Sequence, residues 1–244
     1  MQLPNYLSRE VRTTILGSNQ LERTIATLLD YMEACSIAPQ LELVPEYVID
    51  QLCTPGPWST EEDIANNDHI LSTLRLTKMD GPKLRHYRRS VHLFLRRYEQ
   101  TFAFHKLDIT CSVTQEAMLR TFIKREGSKQ DNNYKHELLA LTRLFDLADQ
   151  AKLENYGISI QGKLAAFIIC EPMNSTWMIG HFWKADATIN GIYCYLMHCV
   201  AQRFLRQGYE YFNIQQDLGI QGLRAFKESL APVLYLRKYT LIKH

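Results

Sequence analysis

Asn213, Asp217, Gly219, Gly222, Arg224 and Lys227 fall within one short stretch of this chain, directly after the strand-like run Tyr209-Glu210-Tyr211-Phe212. An acid, two bases and two glycines stand where a strand hands over to a helix. Such a junction collects unpaired backbone N–H groups and side-chain charge in one place, which suits the binding of a polar or charged ligand. A second group, Lys184, Asp186 and Tyr193, brackets the loop 184–190 ahead of another helix. A third group, Lys83, Arg85, Arg88, Arg89, Arg96 and Arg97, sits in a basic segment, 83–98. There Leu84, Tyr87, Val91, Phe94, Leu95 and Tyr98 recur at helical spacing and mark a buried stripe, so the bases gather on the opposite side. That face suits RNA phosphates or an anionic membrane surface, and equally a solvated amphipathic helix.

Metal chemistry is not expected. The cysteines at 35, 53, 111, 170, 194 and 199 are scattered without a Cys-x-x-Cys pair. Cys194 and Cys199 are spaced so that they do not share a helix face, and no His pair completes a ligand set. Several lie in apolar segments, which reads as reduced, mostly buried thiols in a cytoplasmic protein. His181 and His198 read as packed or surface residues. The net charge of +2 does not by itself demand a polyanionic partner, although a local basic cluster can recruit one. An apolar fraction of 46% with 22% charged residues is that of a soluble globular protein. No apolar run approaches a membrane span, and the first residues lack the basic and apolar regions of a signal peptide.

At 244 residues the chain is long enough for one large domain or two small fused ones. Its first half reads as a short strand at 12–17, a helix at 20–35, a strand at 41–44 ended by Pro45 and a short helix at 46–52. A loop at 54–59 follows, then an extended segment at 69–74, the basic helix at 83–98 and a strand at 101–109. Helices at 114–125 and 134–152 open the second half. Strands at 156–161, 163–172 and 176–183 follow, and the turns Gln161-Gly162 and Asn174-Ser175 make them an antiparallel meander. A helix at 191–206, ended by Gly208, precedes a strand at 209–214, a helix at 219–230 and a strand at 233–242. Two helices, three strands, helix, strand, helix, strand is the order of the GNAT acyltransferase fold, a mixed α+β class. In that fold the sheet splays between its fourth and fifth strands, here 177–183 and 209–214, and holds the acyl group in the opening.

The run His181-Phe182-Trp183-Lys184-Ala185-Asp186, then Gly191 and Tyr193, resembles the C-terminal domain of phosphatidylglycerol lysyltransferases and their soluble relatives. The resemblance continues through Asn213, Asp217-Leu218-Gly219, Gly222-Leu223-Arg224 and Lys227, and then through Pro232-Val233 and Lys238-Tyr239. It is specific over 156–240 and looser over 67–98. It implies two GNAT-like lobes, here a shortened first lobe over 1–109 carrying the basic helix and a complete second lobe over 110–244. It also implies transfer of an amino acid from aminoacyl-tRNA to an acceptor: a soluble small molecule, a peptide or a lipid head group. No cofactor is implied. Three positions depart from the family pattern. Trp183 stands where the family usually has Glu, Gln215 where it often has Glu, and Cys194 where it often has Gln. The leading strands of the first lobe are not visible before Arg12.

An aminoacyl ester is already activated, so the resemblance asks the protein to position it, accept a proton and steady an oxyanion. Asp217 and Asp186 then become partners for the free α-ammonium. Lys184, Arg224 and Lys227 would hold phosphate or the terminal ribose. Asn213 would bond the ester, and Tyr193 would relay a proton. Each has a structural rival: Asp217 as the N-cap of a helix beginning near Gly219, Asp186 as a loop brace, Arg224 and Lys227 as a solvated helix face, Tyr193 as a core-edge tyrosine. Two other functions fit the same order of elements. One is an acyl-CoA N-acyltransferase, for which the loop 184–191, with one glycine and an acid, is a poor pyrophosphate cradle. The other is a degenerate binding module, which the Trp183 and Gln215 departures suggest.

Overall fold

A computed structural model describes residues 14, 15, 17, 19–52, 56–126 and 132–244. The strand expected at 12–17, Cys53 and the start of the loop at 54–59 lie wholly or largely outside the described residues. Along the chain the elements are α1 (Leu21–Ala34), β1 (Gln40–Pro45), α2 (Glu46–Ile49), β2 (Trp58–Glu62), β3 (Asp68–Ser72), α3 (Thr73–Lys78), α4 (Arg85–Tyr98) and β4 (Phe102–Lys106). They continue as α5 (Ser112–Glu126), α6 (Asn132–Asp146), β5 (Glu154–Ile160), β6 (Lys163–Pro172), β7 (Trp177–Ala185), α7 (Ile192–Arg206), β8 (Tyr211–Asn213), α8 (Gln221–Ser229), β9 (Leu234–Leu236) and β10 (Lys238–Lys243).

The chain forms two compact units, one of Met1–Asp68, Gln216–Gln221 and Tyr235–His244, the other of His69–Gln215 and Gly222–Leu234. In the first unit β10 lies between β1 and β2, antiparallel to both. Helix α1 places Leu21, Ile25, Leu29 and Met32 on one face, the spacing that its sequence predicts, and packs them with Leu41, Val44 and Leu241. Strand β2 falls partly where a loop is expected. Trp-Ser-Thr-Glu-Glu carries no apolar alternation, and its backbone becomes a strand through pairing with β10, from Lys243↔Trp58 to Tyr239↔Glu62.

In the second unit the sheet runs β4-β5-β6-β7-β8-β3-β9. The β5–β6–β7 meander is antiparallel, as the two turn signals predict. One face of the sheet carries the core of α3, α4 and α7, with Tyr87, Val91, Phe94, Leu196, Val200 and Phe204 fully buried or nearly so. The other carries α5 and α6, through Met118, Phe122 and Leu141 against Phe167, Ile169 and Phe182. Several boundaries differ from expectation: α2 ends at Ile49, β4 ends at Lys106 and α8 begins at Gln221. The extended segment ends at Ser72, whose hydroxyl accepts from Arg75 N–H and caps α3. Helix α6 ends at Asp146, before Lys152. The last strand is two strands, β9 and β10, each in its own sheet.

Among the described residues no helix is long and apolar enough to cross a membrane. Among the described residues five cysteines are free: Cys35 and Cys111 are exposed, Cys170, Cys194 and Cys199 buried. Burial pushes the Cys194 and Cys199 thiols up to about 11. The Cys111 thiol is lowered instead, first by backbone N–H donation from Thr114 and Val113 at the start of α5. Reactivity follows the thiolate. Alkylation of the native protein near neutral pH, mapped by peptide mass spectrometry, should therefore label Cys111 well before Cys194 or Cys199. Equal rates at the three thiols would contradict this packing.

Candidate functional site

Strands β7 and β8 are parallel, and they pair over only three positions: Trp177↔Tyr211, Met178↔Phe212 and Ile179↔Asn213. Immediately beyond, the β6–β7 register steps from Cys170↔Gly180 to Ile169↔Phe182. His181 is therefore an extra residue on β7, a bulge that bends the strand and increases its twist. From Gly180 to Ala185 the edge of β7 away from β6 has no strand partner among the described residues. This is the opening expected from the order of elements, and the bulge is its physical cause.

The far side of the opening is held by a compact turn. Gln215 adopts a left-handed conformation (φ 59°), and the Asn213 carboxamide oxygen accepts its N–H at 2.7 Å. The Gln215 side chain then reaches across and donates to the Gly180 carbonyl at 2.6 Å. Lys227, on α8, is 6% exposed and donates to the carbonyls of Ile214 and Gln215. Asn213 itself is 1% exposed. Asn213, Gln215 and Lys227 thus brace the ends of the split strands. Arg224 is half-buried one turn earlier on α8.

The wall of the opening is aromatic. Trp183 and Tyr193 have ring centroids 5.6 Å apart, Trp183 and Phe226 5.6 Å, and Tyr193 and Phe226 6.2 Å, all at steep interplanar angles. The Trp183 indole N–H is buried and has no hydrogen-bond partner. The Tyr193 hydroxyl receives the Arg125 Nε–H and the Ala185 backbone N–H, each at 3.1 Å. Both of its lone pairs are occupied and its own O–H points to the Ala185 carbonyl at 3.5 Å, so in this arrangement it can offer a proton only by leaving that long contact and cannot take one from an attacking group.

On the other face of β7, which α5 and α6 cover, and in the loop after it, the charges are matched. Lys184 lies 2.7 Å from Glu137 and 3.3 Å from Glu126, with its ammonium 5.3 Å from the centre of the Phe122 ring. Asp186 pairs with Lys124, and its carboxylate also accepts the N–H and hydroxyl of Thr188. Burial alone would raise the Asp186 carboxyl; Lys124 and Thr188 outweigh it and hold the group below its ordinary value. Lys124 and Asp186 also line a cavity of about 530 Å³ with Arg120, Lys163, Leu164 and Ile189.

In the first unit Asp217 is 1% exposed, and its carboxylate accepts the Gly219 N–H at 2.8 Å. Helix α8 begins only at Gln221, so Asp217 closes an Asx-turn ahead of the helix and is not the N-cap. The basic bases of α4 lie elsewhere on the second unit. Arg85, Arg88, Arg89, His92 and Arg96 line a concavity of about 810 Å³, and Arg88 also donates to the Met79 carbonyl. Lys83 is in a short 3-10 turn ahead of α4, and the Arg97 guanidinium lies 5.9 Å from the Tyr98 ring centre.

Structure adds Arg125, Gly180 and Phe226, which sequence reasoning missed, and makes His181, read from the sequence as a packed or surface residue, the bulge of β7. Phe226 carried a signal, since it lies beside Lys227 in a run already singled out. The bulge at His181 carried none, because register is a property of two strands.

The family profile described as phosphatidylglycerol lysyltransferase, C-terminal, matches residues 15–242. Comparison with curated proteins returns no match. Among solved structures, a conserved protein of unknown function from Bacteroides thetaiotaomicron VPI-5482 is 25% identical at TM-score 0.81, over 93% of this chain and 77% of that one. The L-PGS structure from Bacillus licheniformis is 16% identical at TM-score 0.64, over 91% and 73%. The C-terminal domain of a putative lysylphosphatidylglycerol synthetase from Agrobacterium fabrum is 12% identical at TM-score 0.64, over 91% and 72%.

Proposed function

The chain belongs to the phosphatidylglycerol lysyltransferase C-terminal family and has a GNAT-like α+β fold, and from that premise we propose that it moves an amino acid from aminoacyl-tRNA to an acceptor. The observation that carries this reading is the opening at the bulged edge of β7, with its aromatic wall and its braced far side. The nucleophile of the acceptor attacks the ester carbonyl. The carbonyl becomes a tetrahedral oxyanion, the bond to the terminal ribose oxygen breaks, and that oxygen leaves with a proton. Little chemical activation is needed, so positioning in a site with fixed donors supplies most of the rate.

In this reading Asp186 helps to order the loop beside the site. Tyr193 donates a hydrogen bond, while Asn213 and Lys227 position the turn. Lys184 and Arg224 set the local field. The bases of α4, from Arg85 to Arg97, with Lys83 just before it, take tRNA phosphates; an anionic membrane surface would make use of the same charges. The acceptor is a soluble small molecule, a peptide or a lipid head group, and a cavity of about 530 Å³ suits the first of these. The loop after β7 weighs against acyl-CoA. Thr188 N–H is spent on the Asp186 carboxylate and Ile189 N–H on the Asp186 carbonyl, so the loop presents an acid where a pyrophosphate would need donors.

The test is to incubate the full chain with charged tRNA mixtures, with and without candidate acceptors, and to follow loss of the ester. Accelerated, acceptor-dependent loss is expected, together with no thermal stabilisation by acetyl-CoA. Inertness towards every aminoacyl-tRNA, with clear stabilisation by acetyl-CoA, would replace this reading with an acyl-CoA transferase.

A further inference from the structure

We infer that His69 is a positioning residue for the transfer step: its imidazole, steered by Glu228, holds the Gln215 peptide so that the Gln215 side chain spans the opening to Gly180. This role rests on the aminoacyl-transfer reading above and adds to it a residue that acts through Gln215.

Gln215 has a φ of 59°, in the left-handed region that L-residues avoid. A residue held there persists only where its surroundings over-determine it, and such residues gather at functional sites. The Gln215 carbonyl is over-determined. It accepts the His69 backbone N–H at 3.1 Å and Lys227 Nζ at 3.0 Å, and the His69 ring Nδ1 lies 3.3 Å away. A carbonyl oxygen has two lone pairs, so three donors exceed what satisfying it requires. The backbone N–H belongs to the β3–β8 ladder, one step beyond Ile70↔Asn213, and any residue but proline would supply it. The ring is the part that only the side chain supplies.

His69 is 2% exposed. A carbonyl only accepts, so the contact at Nδ1 is a hydrogen bond only with the hydrogen on that nitrogen. Nε2 lies 3.4 Å from the carboxylate of Glu228, the residue after Lys227 on α8. The two nitrogens therefore have different partners, and what one meets fixes the tautomer and the plane for the other. Both contacts are at the long end of hydrogen bonding, so they supply direction more than stability. The order of dependence runs inward. Glu228, half-exposed, sets the ring; the ring sets the Gln215 carbonyl; the Gln215 side chain then donates to the Gly180 carbonyl at 2.6 Å, beside the bulge of β7. Lys227 and Glu228 thus act on one carbonyl from consecutive positions of α8, the first directly and the second through His69.

The test measures transfer from aminoacyl-tRNA by the full chain carrying His69→Leu, His69→Asn, Glu228→Ala and Gln215→Ala, singly and in pairs. His69→Leu keeps an apolar body in the site and removes both ring nitrogens. The Gln215 carbonyl retains two donors, so the urea midpoint should stay close to that of the wild type. The kcat should fall about tenfold with KM for aminoacyl-tRNA changed by no more than about twofold, because the strap across the opening is loosened and not the grip on the tRNA. His69→Asn returns an N–H near the place of Nδ1 and should recover kcat to within about threefold of the wild type. Glu228→Ala should cost about threefold alone and nothing more after His69→Leu, and His69→Leu should cost nothing more after Gln215→Ala, since residues acting in series are not additive. Hydrogen exchange at the Gln215 N–H, followed by NMR, reads the same turn without turnover and should be about tenfold faster in His69→Leu. Unchanged kcat in His69→Leu, or a loss that persists in full in the Gln215→Ala background, would overturn the role given to His69 and leave aminoacyl transfer standing. Faster exchange in His69→Leu, with a wild type inert towards every aminoacyl donor, would overturn the transfer reading and reduce His69 to a brace of the turn.

Discussion

Gly191→Ala should remove a large share of the stability of the fold and lower its urea midpoint well below that of the wild type. Gly191 precedes α7 in a left-handed conformation (φ 84°), and a Cβ built there would lie 2.3 Å from the Ser90 carbonyl oxygen and 3.2 Å from the Phe94 Cβ. Two costs follow. An L-residue in the left-handed region is strained by about 1–2 kcal/mol. The clash adds more, because the atom it meets is a carbonyl in the middle of α4 and not the free end of a side chain. Relieving it means moving α4 away from α7, and Phe94 stacks on Tyr195 of α7 at 4.7 Å. Overpacking of a rigid contact costs about 1–3 kcal/mol, so the sum is about 2–5 kcal/mol. Whole domains are stable by only about 5–15 kcal/mol. Gly208 supplies the control. Its φ is 92°, equally left-handed, but nothing lies within 4 Å of its missing Cβ. Gly208→Ala should cost only the backbone strain, about 1–2 kcal/mol. Urea unfolding of both variants separates the two causes: equal midpoints would mean that α4 and α7 do not approach as closely as described.

The same pair of glycines shows what the sequence makes legible. Gly208 is readable as a helix stop, since a glycine after an apolar helical run has few other uses. Gly191 is readable only as part of a motif; the reason for it is a carbonyl about a hundred positions earlier in the chain. The contrast recurs throughout the molecule. Helices α1, α4 and α7 and the β5–β7 meander were legible because their apolar periodicity and turn residues are local. Strand β2 was not, because its polar sequence becomes a strand only through pairing with β10. At the site, the splay between the fourth and fifth strands of the lobe follows from element order, and the residues that line it do not. Lys184 and Lys227 have the composition of anion-binding residues. Their partners, two carboxylates for one and two carbonyls for the other, come from elements far apart in sequence. A basic residue in a motif states that a charge is present, and only packing states what that charge is already used for.

Lys227 carries the second large effect. Its ammonium is buried against the carbonyls of Ile214 and Gln215, in the turn that ends β8. Lys227→Met keeps the length and apolar stem of the side chain and removes the charge, so cavity formation contributes little. The consequences for the two carbonyls differ. Gln215 also accepts the His69 N–H at 3.1 Å, so it retains a partner. Ile214 loses the ammonium that met its carbonyl, and a buried acceptor deprived of a charged donor costs about 1.5–3 kcal/mol. Relief of the desolvation of a buried ammonium offsets part of this, as it does when buried ion pairs are replaced by apolar residues. That offset is incomplete here, because the partners are backbone groups that no substitution removes. The expected net loss is about 1–2 kcal/mol, read as a lower urea midpoint with an unchanged slope. The turn also holds Gln215 in its left-handed conformation, from which its side chain spans the opening to Gly180. Loosening it should slow aminoacyl transfer by about tenfold or more under conditions where the variant remains folded, since misplacing a reacting group by about 1 Å can cost a hundredfold. Gln215→Ala distinguishes the two routes: it removes the strap across the opening while leaving Lys227 and both carbonyls paired. It should reproduce the loss of transfer with little of the loss of stability. If Gln215→Ala instead destabilised the protein as much as Lys227→Met and left transfer intact, the bridge across the split strands would be a fold constraint alone.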